Sequence, residues 1–87
     1  MLKRYLRTTK NLYSCIVQSG VEVFYSYITP VAIQVRGDLF VCENQWSTTT
    51  GRHLTWIDGG DKTGRMRYKD FQELCNKYKI ERNYNLQ

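Results

Sequence analysis

The chain has 87 residues, 41% of them hydrophobic and 24% charged, with a net charge of +5. That length holds one domain with one modest core, and the composition is that of a globular chain, neither disordered nor membrane-spanning. The longest weakly polar run, Val31 to Val41, is interrupted by Gln34, Arg36 and Asp38 and falls well short of the ~20 apolar residues a transmembrane helix requires.

The first ten residues carry Lys3, Arg4, Arg7 and Lys10 and no acid. They read as a basic N-terminal arm. No apolar stretch follows the charges, so a secretory signal is not expected and the cytoplasm is the expected compartment. The three cysteines, Cys15, Cys42 and Cys75, are odd in number and widely spaced. This is the usage of free thiols in a reducing compartment, with each acting as a small hydrophobe. A second basic concentration lies at Lys62, Arg65, Arg67 and Lys69. Charge of this distribution favours acidic partners, although it also serves solubility alone.

In chain order, residues 12–18 are rich in strand formers and end at Ser19-Gly20, a turn signal. Residues 21–35 read as one long strand bent at Pro30, which cannot donate a ladder hydrogen bond and so marks an edge or a bulge. Arg36-Gly37-Asp38 turns the chain, and 38–43 returns. The tripeptide spells an integrin-binding signal, but a hairpin turn accounts for it in a chain with intracellular cysteine usage. The period of two puts Val31, Ile33 and Val35 on one face with Phe40 and Cys42 across the hairpin. That face is expected to be the core.

Ser47 or Thr48 can cap a short helix running through Arg52, His53, Leu54, Trp56 and Ile57 to Gly59. Gly51 and the threonines make it a weak helix former that packing must hold. Residues 59–64 form a loop. Its glycines have the spacing of a phosphate-binding loop, but Arg65 and Met66 occupy the places of the required Lys and Ser/Thr. From Lys69 to Lys79 the period is helical, with Phe71, Leu74, Cys75 and Tyr78 on one side. Residues 81–87 read as a polar tail. The expected architecture for residues 1–87 is a single small α+β domain. It has a three-stranded antiparallel β-meander packed by one short helix and one longer C-terminal helix.

His53 is the only histidine. No nucleophile motif surrounds it, and a packed, hydrogen-bonded histidine is the plainer reading. Zinc would need close ligand pairs that the cysteines do not supply. The expectation is therefore no enzyme, no cofactor and no metal. The aromatic content, 14%, suits core filling and cross-strand pairs, protein hot spots or base stacking.

Two strings stand out: Ser26-Tyr27-Ile28-Thr29-Pro30-Val31-Ala32, and Trp46-Ser47-Thr48-Thr49-Thr50-Gly51-Arg52-His53. Together they resemble a family of short, uncharacterised proteins of bacteriophages and other mobile elements. The shared pattern is S-Y-x-T-x-V-A followed by W-S-x-T-T-x-x-H, and it covers about residues 13–80. The resemblance implies a phage-type accessory protein in a bacterial cytoplasm, binding a host protein or protein–nucleic-acid complex, including an anti-defence inhibitor of the anti-CRISPR kind. Tyr27, Trp46, Thr49, Arg52, His53 and Trp56, in or beside those motifs, are the expected binding residues. The alternative is a nucleic-acid-binding domain using Lys3, Arg4, Arg7, Lys10, Lys62, Arg65, Arg67 and Lys69. No membrane contact is expected.

Overall fold

The structure is a computed structural model that describes residues 2–5, by their backbone, and residues 11–82. Most of the expected polar tail, 83–87, lies outside the described residues. Five strands form one sheet in the order of the sequence: β1 (Leu2–Tyr5), β2 (Leu12–Gln18), β3 (Val21–Ser26), β4 (Thr29–Val35) and β5 (Asp38–Val41). Each pairs antiparallel with the next. Two helices follow, α1 (Thr48–Asp58) and α2 (Tyr68–Lys77), with a single 3-10 turn at Lys62–Gly64 between them. The architecture is α+β with an antiparallel meander, as expected.

The strand number is not as expected. Residues 12–41 form four strands instead of three, and Leu2–Tyr5 adds a fifth on the outer edge of β2. The long strand expected over 21–35 is a hairpin that folds at Tyr27-Ile28, with Ser26 opposite Thr29. Tyr27 takes φ 58° there, a left-handed conformation that a bulky side chain rarely adopts. Nothing at 27–28 belongs to the usual turn residues, so composition concealed the turn. The Arg36-Gly37 turn is of the ordinary kind, with both residues at positive φ (49° and 93°), as twist-matched two-residue hairpins require.

Pro30 does mark a bulge. Tyr25 pairs with Pro30 and Phe24 with Ala32, so Val31 is the extra residue. The bulge corrects the expected core face. Ile33 and Cys42 pack toward α2 with Val35 at their margin, but Val31 joins Ala32 on the opposite side, and Phe40 is only half-buried. The inserted residue breaks the alternation on which that expectation rested.

The sheet therefore carries two cores. On one face Tyr13, Cys15, Val23, Tyr25 and Ile33 pack against Phe71 and Cys75 of α2. On the other, Leu12, Phe24, Val31, Ala32 and Val41 pack against Leu54 of α1, with Ile57 beside it. α1 has the expected ends. Ser47 Oγ accepts from Thr50 N at 3.2 Å, and Gly59 closes the helix at φ 71°. α2 buries Phe71 and Cys75 and half-buries Leu74 and Tyr78. Beyond Val41 the chain runs beside Met66, whose N–H donates to Val41 O and whose O accepts from Glu43 N, both at 2.8 Å. This tie covers the end of β5.

Candidate functional site

The two motifs, some twenty residues apart in the chain, meet in space. Ser26 ends β3; Thr50 and His53 lie three residues apart on α1, so both face the sheet. Ser26 Oγ lies 2.6 Å from His53 Nδ1 and 3.0 Å from Thr50 Oγ1. Ser47 Oγ in turn donates to Thr50 Oγ1 at 3.5 Å. One proton arrangement satisfies the row: Ser47 donates to Thr50, Thr50 to Ser26, and Ser26 to an unprotonated Nδ1. Val31 and Ala32 of the first motif pack in the same apolar cluster as Leu54 of α1. The motifs are two halves of one joint.

A serine hydroxyl on a histidine nitrogen is the contact of a nucleophile with its base. Here Ser26 is 2% exposed and His53 4%, so no substrate reaches either. The pair holds a weak helix onto the sheet. Gly51 belongs to the same fitting. A Cβ there would stand 2.8 Å from Nδ2 of Asn44. The Asn44 side chain accepts from Trp46 N (2.9 Å) and donates to Ser47 O (3.2 Å), bracing the start of α1.

Above this joint the surface is of another kind. Tyr27 is 45% exposed, and its ring lies 6.0 Å from that of His53, tilted by 44°. Its strained turn is held from both sides. The Tyr13 hydroxyl donates to Tyr27 O at 2.6 Å, and Tyr27 N donates to Asn11 O at 2.7 Å. On α1, Thr49, Arg52 and Trp56 follow at i, i+3 and i+7, one stripe flanking His53. All three are exposed, Trp56 by 46%. Of the six expected binding residues, Tyr27 thus lies over the buried His53, and Thr49, Arg52 and Trp56 form the exposed stripe next to His53 on α1.

Trp46 packs against both apolar clusters, that of Leu54 and that of Phe71. It meets Tyr68 edge-on, ring centroids 5.8 Å apart at 83°, in a groove of about 690 Å³ beside α2. Tyr68, Gln72 and Asn76 of α2 line that groove with Pro30. These went unnoticed in the sequence, although their spacing of four places them on one helical stripe.

The basic set divides. Arg65 is taken up structurally: its Nε and Nη2 lie 2.7 and 3.0 Å from the Asp58 carboxylate, and only 5% of its side chain is exposed. Burial pushes the Asp58 carboxyl up, but the hydrogen bonds from Arg65 and from Gly60 N–H, with the guanidinium charge, outweigh it. The net result lies below the ordinary carboxylate value. Lys62, Arg67 and Lys69 are exposed. Lys3 and Arg4 fall in β1, opposite Cys15 and Ser14; their side chains, and Arg7 and Lys10 entirely, lie outside the described residues.

None of the three cysteines forms a disulfide, and all three are buried. Burial, with the neighbouring Glu43 and Cys75, pushes the Cys42 thiol up to about 12, and burial pushes Cys75 to about 11. Neither is a ready nucleophile or metal ligand at neutral pH. Among the described residues no group of three or more His, Cys, Asp or Glu is placed to hold a metal ion. No helix there is long and apolar enough to cross a membrane.

No curated protein and no solved structure matches the chain. A family model, described as a family of unknown function (DUF8033), matches residues 1–73, from the first strand into α2.

Proposed function

The chain belongs to this family of unknown function, DUF8033, and from its own surface we propose that it is a non-enzymatic binding protein. Its partner is a host protein or a protein–nucleic-acid complex, docked on Tyr27, Arg52 and Trp56 with Thr49 beside them. The observation that supports this most is Tyr27. An exposed tyrosine is held in a left-handed turn by two hydrogen bonds, directly over a joint whose own polar groups are buried. Strain of this sort persists where the surroundings over-determine it, and it concentrates at ligand clamps and functional turns. Tyr, Trp and Arg are also the residues that dominate binding energy at protein interfaces.

The resemblance to short phage proteins supports a bacterial host as the place of action, and an anti-defence role is the finest form of the proposal. Two experiments test it. Immobilised wild-type chain should retain a bacterial partner that Trp56→Ala and Arg52→Ala chains, folded by circular dichroism, lose. Equal retention by all three sinks the assignment of the surface. Phage plating on a CRISPR-armed strain expressing the chain should rise above the empty-vector control; an unchanged count removes the anti-CRISPR form alone.

A further inference from the structure

Tyr27 owes its place to a residue outside the proposed contact surface. The peptide planes on either side of its Cα are tied to one neighbouring segment. Tyr27 N–H donates to Asn11 O at 2.7 Å, and Tyr27 O accepts from the Tyr13 hydroxyl at 2.6 Å. Asn11 immediately precedes β2, and Tyr13 lies at the start of that strand. Because φ and ψ are the two rotations between those planes, tethering both planes from one segment holds Tyr27 at φ 58°. A glycine would adopt positive φ without such help.

Of the two tethers, only that of Tyr13 is a side chain. Its ring is 2% exposed and belongs to the core under α2. It stands opposite Tyr25 across the strand pair, with the rings stacked at 5.2 Å and 10°. Tyr25 is anchored in turn by its hydroxyl, which donates to Glu81 O at 3.3 Å. A phenylalanine at 13 would fill the same core and keep the stack. The hydroxyl adds a polar group that must be satisfied inside the protein, and the acceptor it meets is the carbonyl of the strained residue. Tyr13 itself is too deeply buried to meet a partner.

We infer that Tyr13 is the positioning residue of the Tyr27 surface, and that its hydroxyl decides between two forms of the turn. With the bond made, Tyr27 stays left-handed and its ring lies over His53, 6.0 Å away. Without it, the carbonyl plane turns freely, Tyr27 returns to the negative φ a non-glycine residue prefers, and the ring leaves His53. This rests on the reading of Tyr27 as a contact residue, and adds that the contact is pre-formed from the α2 face of the sheet before a partner arrives. Untethered, the left-handed form of such a residue is disfavoured by a factor of about 5–30. Partner binding should weaken by about the same factor.

The test is NMR of the full chain, wild type against Tyr13→Phe. In the wild type, Tyr27 should show the strong intraresidue HN–Hα NOE of a positive φ and NOEs from its ring to that of His53. The Tyr13 hydroxyl proton should be visible and protected from exchange. In Tyr13→Phe both Tyr27 signatures should be lost, while Tyr25 keeps its contacts with the ring at position 13. Unchanged Tyr27 signatures in the folded variant overturn the inference. If the variant fails to fold, the wild-type spectrum decides: a protected Tyr13 hydroxyl proton with an NOE to the Tyr27-Ile28 peptide supports it, and the absence of that proton overturns it. The partner retained by the wild-type chain should bind Tyr13→Phe about fivefold to thirtyfold more weakly. Lost Tyr27 signatures with full retention would leave the clamp standing and remove Tyr27 from the contact surface, so the two readings fail separately.

Discussion

α1 and α2 cover opposite faces of one sheet, and different forces hold them there. α2 is amphipathic in the ordinary way. Phe71 and Cys75 enter a core of Tyr13, Val23, Tyr25 and Ile33, with Asp70 near the N-terminus and Lys77 near the C-terminus to suit the dipole. α1 contains Gly51 and four threonines and buries one large apolar side chain, Leu54. Polar contacts supply much of its attachment: the Ser47 cap, the Ser26–Thr50–His53 joint, the Asn44 brace and the Arg65–Asp58 clamp at its far end. Directional contacts fix a helix at one angle and depth. That suits the helix whose outer stripe, together with Tyr27, is proposed to meet a partner.

The contrast can be broken at either helix. The largest loss is expected from Phe71→Ala, about 3–5 kcal/mol in urea unfolding, because it removes the main apolar anchor of α2 and leaves a cavity. His53→Ala leaves the buried Ser26 hydroxyl without its histidine partner, and should cost about 1–3 kcal/mol. A negligible loss would show that α1 is held by Leu54 and Ile57 alone. Asp58→Ala strands the buried Arg65 and should cost about 1–3 kcal/mol by the same reasoning.

The Asp58 variant also has a pH signature. The folded carboxyl sits below its ordinary value, so its contribution is complete above the unfolded pKa. It disappears as pH falls through the folded one. Wild-type and Asp58→Ala stabilities should therefore converge in acid, and parallel curves down to strong acid would refute the clamp. A smaller effect of opposite sign is expected at Tyr27. Tyr27→Gly relieves a left-handed residue and should stabilise the chain by up to about 1 kcal/mol, while weakening the proposed partner contact. The smallest perturbation is chemical. With Cys42 pushed to about 12 and Cys75 to about 11 by burial, neither should react with a thiol reagent near pH 8 until denaturant is added.

Legibility followed the kind of force. The i, i+3, i+4, i+7 pattern of Phe71, Leu74, Cys75 and Tyr78 needs only helical geometry to be read, and α2 lies where that pattern puts it. The caps of α1, Ser47 and Gly59, are local chemistry and were equally visible. The turn at Tyr27-Ile28 was not, because no residue there favours positive φ. The backbone is held in that form by Tyr13 and Asn11, which come from elsewhere in the chain. The same holds for Val31, moved to the other face by a bulge whose position Pro30 announced but whose consequence it did not. Of the six expected binding residues, Tyr27 lies against His53, and Thr49, Arg52 and Trp56 share the α1 stripe beside it. Trp46 bridges the two clusters, with its ring against Tyr68 at the start of the other helix.

By itself the sequence determined an α+β meander, the capped ends of α1, the inner side of α2, and cysteines that act as small hydrophobes, since all of these follow from period, capping chemistry and hydrophobicity within short windows. Only the tertiary structure decided that the two motifs form one joint, that Arg65 belongs to Asp58, and that Tyr27 stands exposed over a buried histidine. The joint and the Tyr27–His53 contact bring together residues more than twenty positions apart, which no local window contains; Arg65 and Asp58 are only seven apart, but their pairing depends on how the chain turns after α1.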